Sequence, residues 1–172
     1  LNLYGEERGL TRDSEARDAE GPQDFLSFIL GQGHAFEARV LEWLAGECEL
    51  VTVGEGWRDA ISLESAEKTW EAMQRGAPAI AQAVLRNPEN KSFGMADLLV
   101  RSDLLLKLFP GTLTAREAAL AAPALGGSPW HYRVIDVKFS TLGVNVDGSL
   151  GMSKPQYQVQ VALYSLAVAR VQ

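Results

Sequence analysis

The chain has 172 residues, 47% apolar and 22% charged, with a net charge of −6 at neutral pH. That is enough for one domain with a real core, so composition excludes a disordered or fibrous chain, and bulk charge argues against a nonspecific nucleic-acid clamp. A single cysteine, Cys48, excludes an internal disulfide and any cysteine-only zinc or iron–sulfur centre built from this chain alone. No apolar run reaches the ~18 residues of a membrane span, and the opening L-N-L-Y-G-E-E-R lacks the apolar segment of a secretory signal, so a cytoplasmic location is expected.

Residues 1–21 are polar and charge-dense and read as a lead-in. Residues 22–46 carry Phe25, Phe28, Ile29, Phe36, Val40, Leu41 and Leu44 at helical spacing, with Gly31 and Gly33 expected to divide the helix. A first strand follows at 49–53, a turn at 54–56, and a helix over 62–76 with Trp70 and Met73 on its buried side. Small apolar residues predict a strand at 78–85, N-P-E-N-K-S a turn at 87–92, and 93–106 a long strand region. Residues 110–129 read as an insertion between two hairpin strands, with bounds of about 107–130 for the whole excursion. The stretch 132–140, Y-R-V-I-D-V-K-F-S, predicts one strand with Val134, Asp136 and Lys138 on one face and Arg133, Ile135, Val137 and Phe139 on the other. A glycine-rich loop over 141–153 leads to a final helix, 154–172, whose apolar residues exceed one stripe and predict burial on two sides. The order of elements predicts an α/β fold, a central mixed sheet flanked by helices, with 22–172 as one domain. Because the chain begins at Leu1 and ends inside an apparent helix, it reads as a fragment of something longer.

Four places set polar groups among apolar ones. Asp97 opens the apolar run L-L-V; Asp136 and Lys138 share a strand face, about 6.6 Å apart along it at ~3.3 Å per residue. Glu37 lies beside Phe36 and Val40 on the first helix; Gln156, Gln160 and Tyr164 share one face of the last. Each has an ordinary reading as well: a solvated strand start, an amphipathic strand, an exposed helical Glu, the polar side of a helix. A carboxylate with an ammonium beside it also suits a metal ligand next to a group that orients water or offsets charge.

Taken in chain order, Gly33-x-x-x-Glu37, Gly94-x-x-Asp97, Asp136-x-Lys138 and Gln160-x-x-x-Tyr164 resemble the PD-(D/E)XK nuclease superfamily in its RecB-like branch. The likeness is to bacterial predicted RecB-family nucleases. It covers about 31–172 and is carried by A-M-Q-R-G-A-P-A-I-A-Q-A-V-L, G-x-x-D-L-L-V-R-S-D, Y-R-V-I-D-V-K-F-S and Q-V-A-L-Y-S-L-A-V-A-R-V-Q.

The resemblance implies a restriction-endonuclease-like core and a Mg²⁺- or Mn²⁺-dependent nuclease, exo- or endonucleolytic, acting on single- or double-stranded DNA in repair, defence or mobile-element processing. Further domains or subunits are implied as partners. Asp97 and Asp136 would hold the metal, with Glu37 as the first-helix ligand and His34 competing for that role. Lys138 would orient or activate water, and Gln160 and Tyr164 would support the site and contact nucleic acid. Gln156, Arg101 and Lys154 join as substrate contacts, with Arg86, Lys91 and Arg170 as further candidates for a basic rim; each cation is also an ordinary surface charge. Unlike some relatives in CRISPR adaptation, this chain, with one cysteine, cannot build a four-cysteine iron–sulfur cluster, and the gap between Asp97 and Asp136 is longer than a tight hairpin needs. Two other readings stand beside the nuclease: a catalytically weak or inactive nuclease-fold module used for binding or assembly, and an unrelated α/β binding domain.

Overall fold

The computed structural model describes residues 22–141, 143–149 and 154–172. The lead-in expected over 1–21 and part of the glycine-rich loop lie outside them. The described chain runs α1 (Pro22–Glu47), β1 (Leu50–Thr52), α2 (Trp57–Ala60), α3 (Leu63–Gln74), β2 (Ala79–Asn87), β3 (Ser92–Arg101), α4 (Ser102–Leu108), α5 (Ala115–Ala118), a 3-10 turn (Pro123–Leu125), β4 (Tyr132–Ile135) and α6 (Pro155–Arg170). No helix among the described residues is long and apolar enough to cross a membrane. Contacts divide the chain at Phe36/Glu37 into two units. In the first, Phe25, Leu26, Phe28 and Leu30 are exposed.

In the second unit the sheet order is β1-β2-β3-β4. β1 runs parallel to β2, across the crossover through α2 and α3, as a parallel pair requires. β2, β3 and β4 are successively antiparallel. The sheet is therefore mixed and flanked by helices. One face packs Ile80, Leu99 and Tyr132 against Met73 of α3, Ala167 and Val168 of α6, and Leu125 of the 3-10 turn. The other packs Ala79, Ala81, Leu98 and Val100 against Leu44 of α1 and Leu104 and Leu105 of α4.

Four expectations are corrected. Gly31 and Gly33 do not interrupt α1, which runs unbroken through both; a helical glycine costs about 1 kcal/mol, which the surrounding turns absorb. The strand expected over 93–106 ends at Arg101, and Leu104–Leu105 belong to α4. Three consecutive leucines fit a buried strand or a buried helix equally, and Ser102 decides: its buried hydroxyl donates to the Ala118 carbonyl and accepts from the His131 amide. The strand expected over 132–140 stops at Ile135, where the Val137 amide turns to the Asp97 carboxylate. Finally, α6 is fully buried only at Ala167 and Val168, while Val159, Leu163 and Leu166 are exposed, so it meets the sheet on one side.

The two central strands share an irregularity. Ile80 and Leu99 point to the α3/α6 side, and Ala81 and Leu98 to the α1/α4 side. Strict alternation would put Ala83 and Ala96 on the α1/α4 side as well, yet both lie on the α3/α6 side. The alternation slips on both strands at once, at Gln82 and Asp97. Gln82 has φ +49, a left-handed conformation rare for a residue other than glycine, and the Gln82 carbonyl accepts the Gly54 amide.

Candidate active site

The slip carries the polar cluster. Ala81 pairs with Leu98 and Leu98 with Ile135. One register step further puts Gln82, Asp97 and Asp136 in a row across β2, β3 and the end of β4. Asp97 then replaces backbone pairing with side-chain pairing: its Oδ2 accepts the Val137 amide at 2.7 Å. That bond ends β4 and leaves 136–140 irregular, which turns Asp136 and Lys138 away from a flat strand face.

Lys138 binds both acids. Its Nζ lies 2.7 Å from Asp136 Oδ1 and 3.4 Å from Asp97 Oδ2. The Asp136 side chain is 6% exposed and the Asp97 side chain 16%, so neither carboxylate has much water to spread its charge into. Burial pushes the Asp136 carboxyl above the usual carboxylate range, Lys138 pulls it back, and the neighbouring Asp97 raises it again. For Lys138 burial alone would lower the pKa. The hydrogen bond to Asp136 and the charges of Asp97 and Asp136 outweigh burial and hold it above the ordinary lysine value. Two carboxylates thus share one ammonium, leaving a local excess of negative charge.

Asp136 and Lys138 line a cavity of about 630 Å³. One wall is the 134–140 segment with Asp136, Lys138 and Ser140; the other is the start of α6 with Lys154, Tyr157, Gln158 and Val161. Lys154 reaches across to the Ser140 hydroxyl, and the ammoniums of Lys154 and Lys138 lie 5.5 and 6.0 Å from the centre of the Tyr157 ring.

The remaining expected residues are placed as follows. Glu37, half-buried on α1, accepts a hydrogen bond from the Gln82 carboxamide. His34 is exposed and falls in the N-terminal unit. Among the described residues, no three His, Cys, Asp or Glu side chains form a group that could hold a metal ion; the oxygen donors that stand together are Asp97 and Asp136. Gln156, Gln160 and Tyr164 do share one face of α6, but that face lines a different groove, with Leu85, Ser92 and Phe93 of the β2–β3 hairpin. Tyr164 sits against Gly94, where a Cβ would come within 2.7 Å of its ring, so it braces the strand that presents Asp97. Arg101 is held elsewhere by Asp103, by the Gly76 carbonyl and by the Trp130 ring. It lies four residues beyond Asp97 along β3, about 13 Å at ~3.3 Å per residue. Of the basic-rim candidates, Arg86 donates to the Ile61 carbonyl, Arg170 pairs with Glu89, and Lys154 lines the cavity.

Sequence reasoning missed Gln82, Ser140, Tyr157 and Gln158. Gln82 had a visible signal, a lone polar residue inside A-I-A-Q-A-V-L. No protein-family model, curated protein or solved structure matches the chain.

Proposed function

We propose that the chain is a metal-dependent nuclease that hydrolyses DNA phosphodiester bonds at the Asp97–Asp136–Lys138 cluster, on a restriction-endonuclease-like core of the PD-(D/E)XK type. The single observation that carries this reading is the shared ammonium: two half-buried acids, Asp97 on β3 and Asp136 just past β4, one lysine between them, and an open cavity lined by Asp136 and Lys138. The order of strands and helices agrees with that core.

Asp97 and Asp136 offer a hard, all-oxygen donor set with uncompensated charge, which suits Mg²⁺ or Mn²⁺. Such a cation would neutralise charge developing on the phosphate and make a bound water more acidic. Lys138 has the reach to turn from the acids to a phosphate oxygen or the attacking water. Lys154 and Ser140, on facing walls of the cavity, present donors to a second phosphate, and Tyr157 offers a flat apolar surface for a base or sugar. Glu37, beside Gln82, is the first-helix candidate for completing the donor set.

The test is cleavage of labelled single- and double-stranded DNA with Mg²⁺ or Mn²⁺ by the wild type, Asp136→Ala and Lys138→Ala. Turnover in the wild type alone supports the reading; equal rates in all three sink it. A second reading, a nuclease-fold module that binds or assembles without cutting, is favoured by one observation: Lys138 already bridges the acids. It predicts DNA binding by the wild type with no turnover under either metal.

A further inference from the structure

We propose that the cavity between β4 and α6 is a docking groove for an extended peptide segment bearing an acidic side chain, which adds to the edge of the sheet and shuts DNA out. The exclusion of DNA rests on the nuclease reading above; the docking itself does not.

β4 is an edge strand. In an antiparallel ladder, alternate residues turn both backbone groups to one neighbour, and the residues between them turn theirs the other way. The His131 carbonyl accepts the Ser102 amide, and the Val137 amide reaches the Asp97 carboxylate, so the odd-numbered residues here face β3. Tyr132 faces outward, and Gln172 takes the place of a neighbouring strand for it. The Gln172 Oε1 accepts the Tyr132 amide at 2.7 Å, and its Nε2 donates to the Tyr132 carbonyl at 3.3 Å. Val134, two residues on, therefore turns its N–H and C=O outward as well. It lines the cavity, and among the described residues no fifth strand covers it.

An open edge position is a template for another strand. A phosphate oxygen can accept from the Val134 amide but cannot donate to its carbonyl, whereas an extended peptide supplies donor and acceptor together. Charge then narrows the choice of peptide. Lys138 is taken up by the two acids. Lys154 meets the Ser140 hydroxyl and the Tyr157 ring, so a docked strand that reaches it is best matched by Asp or Glu. Val161 and Ala162 of α6 give the other side chains an apolar wall. A segment seated there stands in front of Lys138, where the substrate phosphate would lie.

The probe is a fluorescent four-residue peptide of alternating valine and glutamate, read by anisotropy in EDTA with and without an unlabelled single-stranded oligonucleotide. It should bind the wild type, and its lysine counterpart should bind about tenfold more weakly or worse. Val134→Pro removes the outward donor and no ladder bond, a change edge strands tolerate, so it should keep the wild-type Tm and lose about tenfold in peptide affinity. The wild type gives a second reading that does not depend on that variant folding: N-methylation of alternate peptide amides should abolish binding in one phase and spare it in the other. The inference is overturned if no peptide binds, if both methylation phases bind alike, or if the lysine peptide binds as well as the glutamate one. An oligonucleotide that binds alongside the peptide overturns the exclusion of DNA. If the peptide binds in one phase only but the wild type neither binds nor cuts DNA, the nuclease reading fails and the docking stands.

Discussion

β3 carries two charged clusters, and they are built on opposite principles. At its C-terminal end Arg101 and Asp103 pair one to one, with two contacts of 3.0 and 2.6 Å, and the Arg101 guanidinium also meets the Gly76 carbonyl and lies 4.6 Å from the centre of the Trp130 ring. Four residues earlier, Asp97 and Asp136 divide one ammonium between them. The pKa values follow. Arg101 holds the Asp103 carboxyl below the ordinary range, whereas burial holds the Asp136 carboxyl above it. Among the described residues no buried side-chain polar atom lacks a hydrogen-bond partner, so the difference is one of charge and not of bonding. One cluster is balanced and serves the fold. The other is left short of positive charge, which is the feature the proposed cation site rests on.

The strongest way to break that comparison is to remove a member of each cluster and measure cleavage. Asp97→Ala or Asp136→Ala should lower metal-dependent turnover by roughly 100-fold or more, the scale for losing a group that stabilises transition-state charge. Arg101→Ala should leave turnover within about twofold and lower stability by about 1–2 kcal/mol through the lost pair and ring contact, read by urea denaturation. A large activity loss in Arg101→Ala with normal folding would erase the distinction.

A second, smaller contrast lies in pH. A carboxyl whose folded pKa is raised contributes stability below its unfolded value, 3.8 here, and loses it as pH rises through the folded value. Ionised Asp136 therefore costs stability at neutral pH, and Asp136→Asn should gain on the wild type between pH 4 and pH 7. Asp103 is the reverse: its contribution is present above 3.8 and is lost as pH falls through its depressed folded value. Asp103→Asn should lose most at neutral pH and converge on the wild type in acid. Unfolding curves across that range read both signs; parallel behaviour of the two variants would contradict the assignment.

The brace behind Asp97 gives a prediction of about 1–3 kcal/mol. Gly94→Ala forces a methyl onto the Tyr164 ring and should destabilise the fold by that amount. Tyr164→Leu, which shortens the obstructing ring, should recover part of the loss in the double variant. Full additivity of the two substitutions would separate Gly94 from Tyr164.

The sequence displayed much of this and hid the rest for physical reasons. The order of the main elements was legible because each has its own period, and Asp97, Asp136 and Lys138 were legible because a charge in an apolar strand must be compensated. The end of β4 was not, since it depends on Asp97 capturing the Val137 amide across a gap no local pattern records. The facing of α6 was hidden as well: a helix with apolar residues on every side does not announce which of them meets the sheet, so Gln158 and Tyr157 face the cavity while Gln160 and Tyr164 face the hairpin. The left-handed Gln82 was beyond periodicity altogether, because alanines on both sides of it are buried whichever way the strand turns.

The central claim, that Asp97 on β3 and Asp136 just past β4 form a cation site whereas Asp103 does not, is tested most directly by the shift in unfolding temperature on adding Mn²⁺. A ligand that binds only the folded state at 100 times its Kd stabilises by about 2.7 kcal/mol. The wild type and Asp103→Asn should rise by similar amounts, and Asp97→Asn and Asp136→Asn should not rise. An equal rise in all four proteins, or none in the wild type, would contradict it.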